Sequence, residues 1–319
     1  MRRSYGRQPP LPKPYEFVKI DEMSDEHRCH PKGHEDYGID KISGELKGEI
    51  TTLSPVHVAS GMMELTGRRD FPLVKAHTSH NGRPIIPGSS LKGAIRSIVE
   101  AISPSCVRIT RLRSNQLPNN TSACKNKKSL CVSCRMFGAM DYLGQVRFSD
   151  AVLQQGYTTE IAAIPSLYSP RTREGLYFDD SGNVKGRKFY QHGNLAEGNV
   201  PIEVCPVNAK FDFILSFDNL TEGELGLLLI ALGLGTPKFY PKLGGAKPAC
   251  CGTLEITIPK SQIFEDIERA YLQYDVEPTD IDIPKYIDAA QEIVLNDQLQ
   301  QLADILKLDE QRQCPDRNY

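Results

Sequence analysis

Two helix-forming patterns, each set among strand-like runs, constrain this chain most. The segment GSSLKGAIRSIVEAI repeats Leu91, Ile95, Ile98 and Ile102 at helical spacing, with Ala94 and Val99 beside them. That periodicity predicts one buried face, with Ser89 or Ser90 placed to cap the start. A second helix, ELGLLLIALGL, is announced by Thr221 and by Glu224 three residues later, a reciprocal capping box. Strand-like runs surround these helices. They are Gly48 to Leu53, Gln145 to Leu153 (QVRFSDAVL), Lys210 to Phe217 (KFDFILSF) and the run TLEITI after the turn KLGGAKPACCG. The order is β-α-β-β-α-β. It predicts an α+β, ferredoxin-like (RRM-like) core with a split βαβ arrangement.

The remaining segments are expected to hang on that core. Residues 1–43 are polar, rich in Pro and His, and predict an extended N-terminal arm. Residues 44–260 form the main domain. It carries a cysteine-bearing insertion at 103–138 and a Tyr-, Gly- and Arg-rich insertion at 154–208, and Ser54 to Gly88 is expected to be a long loop. Residues 261–319 predict an acidic helical tail with Leu299, Leu302, Ile305 and Leu306 as its apolar stripe.

A net charge of −2 hides a strong polarity. Arg68 to Arg135 holds thirteen Lys or Arg against two acids, Asp70 and Glu100, whereas Ser261 to Tyr319 holds fourteen acids against five bases. The basic middle suits a phosphate backbone. The tail reads as a solvated face or as a dock for a basic neighbour. The start of the chain lacks the apolar run of a signal peptide. The longest apolar stretch, Leu227 to Leu234, is broken by Gly233 and falls far below the roughly 20 residues that span a bilayer. A cytoplasmic protein with no membrane partner is therefore expected.

Nine cysteines, an odd number without a secretory signal, argue for metal rather than for a disulfide framework. Cys124-x6-Cys131-x2-Cys134 gathers three thiols in a Lys-rich loop that apolar burial cannot fold, and structural Zn2+ would supply the missing free energy. Cys106 is a candidate fourth ligand, with His77 or His80 as rivals. Cys250 and Cys251 are adjacent and are read as structural. His27, Cys29, His30 and His34 are too loosely spaced on the arm to favour a metal cluster.

Four ordered segments resemble a known family. PIIPGSSLKGAIRS is similar to the signature loop and helix of the RAMP superfamily of CRISPR systems. CRMFG with GQVRFSDA, LTEGELGLLLIALGL, and KLGGAKPACCGTLEI resemble its later blocks in the expected order. Within the superfamily, the chain looks like the Cas-seven subunits that line the guide RNA in type III effector complexes. GRKFYQHG is similar to a motif of type III-D and III-E members. The resemblance leaves out the arm and the tail.

The resemblance implies a subunit that grips CRISPR guide RNA, meets target RNA and assembles with other effector subunits. It places the helix start, with Ser89, Ser90, Lys92 and Arg96, against the guide backbone, where a solvated helical face is the plainer reading. Gly244, Gly245 and Gly252 would admit phosphates closely, beside Lys242 and Lys247, or would simply make a hairpin turn. The 154–208 insertion is similar to a "thumb" wedged between guide and target. There Arg171, Arg173, Lys185, Arg187 and Lys188 interleave with Tyr168, Tyr177, Phe178 and Tyr190, a composition suited to splayed bases; a surface hairpin is the alternative.

Asp70, flanked by Arg68 and Arg69 in RRDFPLVK, resembles the catalytic aspartate of target-cleaving members. It would hold a divalent ion, Mg2+ or Mn2+, or steer the ribose 2′-hydroxyl; a salt bridge to Arg68 or Arg69 is the plain alternative. Two other functions stay open. One is a binding subunit that does not cut. The other is a guide-processing endonuclease using His57 or His192.

Overall fold

The computed structural model describes residues 14–315, apart from 36, 109, 111, 168–175, 266–269, 271 and 273–276. Along the chain the strands are β1 (Tyr15–Val18), β2 (Ile42–Thr52), β3 (Ala59–Leu65), β4 (Leu73–His77), β5 (Ser79–His80) and β6 (Arg83–Ile86). Helices α1 (Gly88–Ile102) and α2 (Val132–Phe137) follow. Then come β7 (Val146–Phe148), β8 (Ala151–Leu153), β9 (Glu160–Ile164), β10 (Arg187–Tyr190), β11 (Val200–Val204) and β12 (Lys210–Leu220). The chain closes with α3 (Glu222–Ala231), β13 (Leu254–Phe264), α4 (Ile283–Ala289) and α5 (Asn296–Ile305).

The main sheet runs β13-β2-β12-β8-β6-β5, with β7 also on β12. The pairs β13–β2, β2–β12 and β12–β8 are all antiparallel. The two strands joined through α3, β12 and β13, are therefore separated by β2, while β6, which leads into α1, lies directly beside β8. Two-residue alternation puts Phe211, Phe213, Leu215 and Phe217 of β12 inside, opposite Leu46 and Ile50 of β2. Each such side chain contributes on the order of 1.5–3 kcal/mol on burial. Helix α1 buries the predicted stripe of Leu91, Ile95, Ile98 and Ile102. Its start differs from expectation. Pro87 is the N-cap, and neither Ser89 nor Ser90 caps the helix. Asp150, in the β7–β8 corner, accepts the Gly88 N–H instead at 2.8 Å. The Thr221–Glu224 capping box on α3 is present in both directions, at 3.0 and 3.1 Å. Helix α3 is buried on all sides, and α4 crosses it so closely that a Cβ on Gly226 would lie 1.7 Å from the Tyr286 carbonyl.

Segments expected to hang on the core are instead built into sheets and core. Ser54 to Gly88 contains β3 to β6, and β3 and β4 join β9 and β11 in a second sheet ordered β3-β4-β11-β9. The 154–208 insertion therefore does not stand apart as one hairpin, for β9 and β11 belong to that sheet while β10 pairs with β1. The arm is held by β1, and Met23 packs among the buried cysteines. The tail buries Leu299, Leu302, Ile305 and Leu306 in the main core. Beyond them, Cys314 is disulfide-bonded to Cys250, with Cα atoms 6.0 Å apart. That single bond is not a disulfide framework, and it gives Cys250 the structural place read from the sequence; the pairing with Cys314 was not foreseen.

Candidate nucleic-acid interface and metal centre

The cysteine insertion folds around its own sulfurs. Cys106, Cys124, Cys131 and Cys134 are all buried, and their four Sγ atoms lie within 4.8 Å of one another. Cys131 is the N-cap of α2, so Cys134 lies one turn along on the same side of the helix. Cys106 comes from the segment after α1, with its Sγ 3.5 Å from Cys134 Sγ. Hydrogen bonds from the neighbouring thiols, Cys106 first, hold the Cys131 thiol well below its usual range. Backbone N–H groups of Cys106 and Cys131 point at Cys131 and Cys124 sulfurs at 3.5 and 3.4 Å. Four thiols gathered in this way are the donor set of a tetrahedral Zn–S site, whose 2.3 Å bonds would set the sulfurs about 3.8 Å apart. The cluster can hold a metal ion.

Neither rival histidine takes part. His77 is buried elsewhere. Its Nδ1 accepts the Val58 N–H at 3.1 Å and its Nε2 faces the Ile85 carbonyl. Burial lowers its pKa to about 4. His80 is exposed on β5. The four residues on the arm do not converge: His27 meets Ser24, His30 the Pro31 carbonyl and His34 the Leu143 carbonyl.

Two arginines expected at RNA are instead built into this lobe. Arg96 donates to Glu100 at 2.8 Å, to the Gly138 carbonyl at 2.9 Å and to Cys134 Sγ at 3.4 Å. Arg187 reaches the other Glu100 oxygen at 2.7 Å and the Cys106 carbonyl at 2.9 Å. Most donors of these two guanidiniums are taken up locally, Arg187 Nε excepted, and the shared Glu100 already supplies their counter-charge, so they have little left for a phosphate. Lys92 is also committed, donating to the Val146 carbonyl at 2.7 Å.

A cleft of about 490 Å³ opens on the other side of α1. It gathers Ser90, Lys188, Tyr190, Lys242, Gly244, Gly245 and Lys247 from three distant stretches of chain. Ser89 is exposed at the helix start and does not line it. Strand alternation explains why two adjacent basic residues part company: Arg187 faces the cysteine lobe, while Lys188 and Tyr190 face the cleft. Lys188 Nζ donates to Tyr190 Oη at 3.0 Å and lies 4.9 Å from the Tyr15 ring centroid. Burial lowers the pKa of both Lys242 and Lys247, Lys242 to about 7. No carboxylate pairs with any of the three lysines among the described residues.

The glycines divide differently from expectation. A Cβ on Gly244 would meet the His57 carbonyl at 2.5 Å, and one on Gly252 would meet the Leu243 carbonyl at 1.9 Å. Gly252 is glycine because the loop folds back on its own backbone, and Gly244 because it lies against the His57 segment; both have positive φ. Gly93 is the reverse. It sits mid-helix on the cleft wall with nothing within 4 Å of its would-be Cβ. A helical glycine gives up about 1 kcal/mol relative to alanine, and no packing contact accounts for it. The signal for Gly93 was the glycine interrupting LKGAIR.

Asp70 lies in the turn between β3 and β4, exposed, with Arg68 Nη2 2.6 Å from Oδ2. That hydrogen bond holds its carboxyl below the usual range. Arg69 is exposed beside it. Arg171, Arg173 and Tyr168 lie outside the described residues. Buried His57 and His192 bond backbone carbonyls. Burial lowers both pKa values, His192 to about 3.

The α+β core thus carries an aromatic-edged lysine cleft on one side of α1 and a four-thiol lobe on the other. The RAMP superfamily model matches residues 49–255, more than half of the chain. The chain belongs to that superfamily, whose members bind CRISPR RNA and act in Cas complexes. No curated protein matches the chain. Among the described residues no helix is long and apolar enough to cross a membrane.

Proposed function

We propose that this chain is a guide-RNA-binding backbone subunit of a type III effector complex, with the III-D/III-E character suggested by GRKFYQHG. The core is then ferredoxin-like, and the guide backbone follows the cleft between α1 and the glycine-rich loop. The observation that carries this reading is the convergence of three acid-free lysines, Tyr190 and the bare Gly93 face on one cleft. A phosphodiester supplies the charge these lysines lack, and aromatic faces accept unstacked bases. The four thiols hold a structural Zn2+, which fixes the lobe that anchors Arg96 and Arg187. Chain purified after co-expression with a guide array carries RNA of guide length. Preparations consistently free of RNA contradict the reading.

A second reading adds cleavage of the paired target RNA at Asp70, favoured because this carboxylate is exposed on a turn and its ion pair is with the equally exposed Arg68. The residues present do not make a Mg2+ or Mn2+ site. Among the described residues, no second and third metal-ligating group gathers at Asp70. The divalent dependence expected from sequence therefore gains no support here. Its lowered proton affinity makes Asp70 a poor base but a sound acceptor for the ribose 2′-hydroxyl. The 2′-hydroxyl gives its proton to water as the 2′-oxygen bonds phosphorus; the bond to the 5′-oxygen breaks and that oxygen takes a proton from water, leaving a 2′,3′-cyclic phosphate and a 5′-hydroxyl. In the assembled complex, Asp70→Asn removes the cut at this subunit and leaves target binding intact. Undiminished cutting makes Asp70 a salt-bridge residue only. Processing of the guide by His57 or His192 is disfavoured, since both rings are buried and bonded to carbonyls.

A further inference from the structure

Lys242 is an unusual residue for an RNA cleft, being only 8% exposed. It opens the glycine-rich loop and pairs through its backbone with Thr253. Its Nζ lies 3.5 Å from His192 Nδ1. The tautomer of that ring is set by its other side: Nε2 faces the Tyr240 carbonyl at 2.9 Å and must carry the hydrogen. Nδ1 is then a lone pair, accepting from Thr253 Oγ1 at 2.8 Å and from Lys242.

The ionisable groups around this ammonium offer it no fixed counter-charge. His192 is neutral and buried. Cys251 is a buried thiol pushed up to about 11, so it is uncharged near neutrality. Lys247 from the loop and Arg312 from the C-terminal segment both oppose a positive charge on Lys242, and Lys188 opposes one on Lys247. No acid on any of these elements pairs with Lys242 among the described residues. Burying a cation without a partner is costly, and such a group gives up its proton instead.

We propose that the cleft takes up a proton with the RNA phosphate it seats, and that Lys242 receives it. This rests on the RNA-binding reading. The empty cleft holds Lys242 largely uncharged above neutrality, which spares it repulsion from Lys247 and Arg312. A seated phosphodiester provides the absent negative charge and restores the ammonium. Binding and protonation are then linked, so each strengthens the other. His192 takes no part in this proton exchange, because its ring stays neutral well below the range concerned.

The test uses the full chain and a single-stranded RNA of mixed sequence at constant ionic strength. With a free-state value near 7 raised well above 8 on binding, affinity is roughly tenfold weaker at pH 8 than at pH 6. Calorimetry at pH 7.5 in buffers of different ionisation enthalpy shows proton uptake. In Lys242→Arg the charge is permanent, so affinity is flat from pH 6 to pH 8 and the uptake vanishes. If the Arg variant fails to fold, calorimetry on the unaltered chain decides the linkage alone. RNA binding that is equal at pH 6 and pH 8, with no uptake, overturns this inference and leaves the RNA-binding reading standing. A pH dependence that survives in Lys242→Arg moves the proton to another group, Lys247 first, and overturns the assignment. Absence of binding at every pH overturns both.

Discussion

The two sides of α1 use basic residues in opposite ways. On the cysteine side, Arg96 and Arg187 share Glu100 and donate further to Gly138, Cys134 and Cys106. On the cleft side, Lys188, Lys242 and Lys247 have no carboxylate partner among the described residues. Basic residues paired inside the fold are structure, and those left without a counter-charge are poised for a ligand. A charge count along the sequence sums the two and cannot tell them apart.

Metal removal breaks the contrast most severely. One ion per chain is expected, and a chelator strong enough to strip it should unfold the 103–138 lobe, because the free energy of a structural Zn2+ site is largely folding free energy, about 10–16 kcal/mol in small zinc domains. Elemental analysis with near-UV circular dichroism checks this; a chelated, metal-free chain that keeps its tertiary signal contradicts it. Glu100→Gln comes next. It leaves two half-buried guanidiniums short of their anion and should cost about 3–5 kcal/mol in urea unfolding. A change below 1 kcal/mol would mean that solvent reaches the pair.

Acid should act through the floor beneath the cleft. His192 and His77 have folded pKa values lowered to about 3 and about 4, so the unfolded chain binds more protons between those values and 6.5. Stability is fully present above pH 6.5 and is lost as pH falls through that window, on the order of 3 kcal/mol for each ring by pH 4. Urea midpoints at pH 7 and pH 4 measure it. The smallest effect expected is at Gly93. Gly93→Ala should stabilise the helix by about 0.5–1 kcal/mol while weakening RNA binding. A variant that gains in both stability and affinity would show that the bare wall has no ligand to admit.

Much of the core was legible because it is written in local patterns. The period of α1, the capping box that opens α3 at Thr221 and the alternation of β12 each reappear in place. The Cys-x2-Cys turn was equally readable, since its ligands are held by a single helical turn. Strand β3 was missed because it is exposed throughout and shows no buried alternation, and β5 and β6 because they are only two and four residues long. Arg187 and Lys188 were read alike, for neighbours on a strand differ only by the face they take, and that face depends on β1 and the cysteine lobe. Asp150 as the partner of the α1 start is 62 residues from Gly88, beyond any local rule. The Cys250–Cys314 pair, 64 residues apart, is a meeting that only the folded tail creates.

The central claim is that the acid-free lysines, and not the basic stretch as a whole, bind RNA. The most direct measurement is the salt dependence of RNA affinity in Lys188→Met/Lys247→Met, with thermal unfolding of the same protein. The account predicts weaker binding to all sequences, a salt slope reduced by roughly one for each lysine removed, and an unfolding midpoint close to that of the unaltered chain. An unchanged slope and affinity in a folded double variant would contradict it and return the binding surface to the arginines around the cysteine lobe.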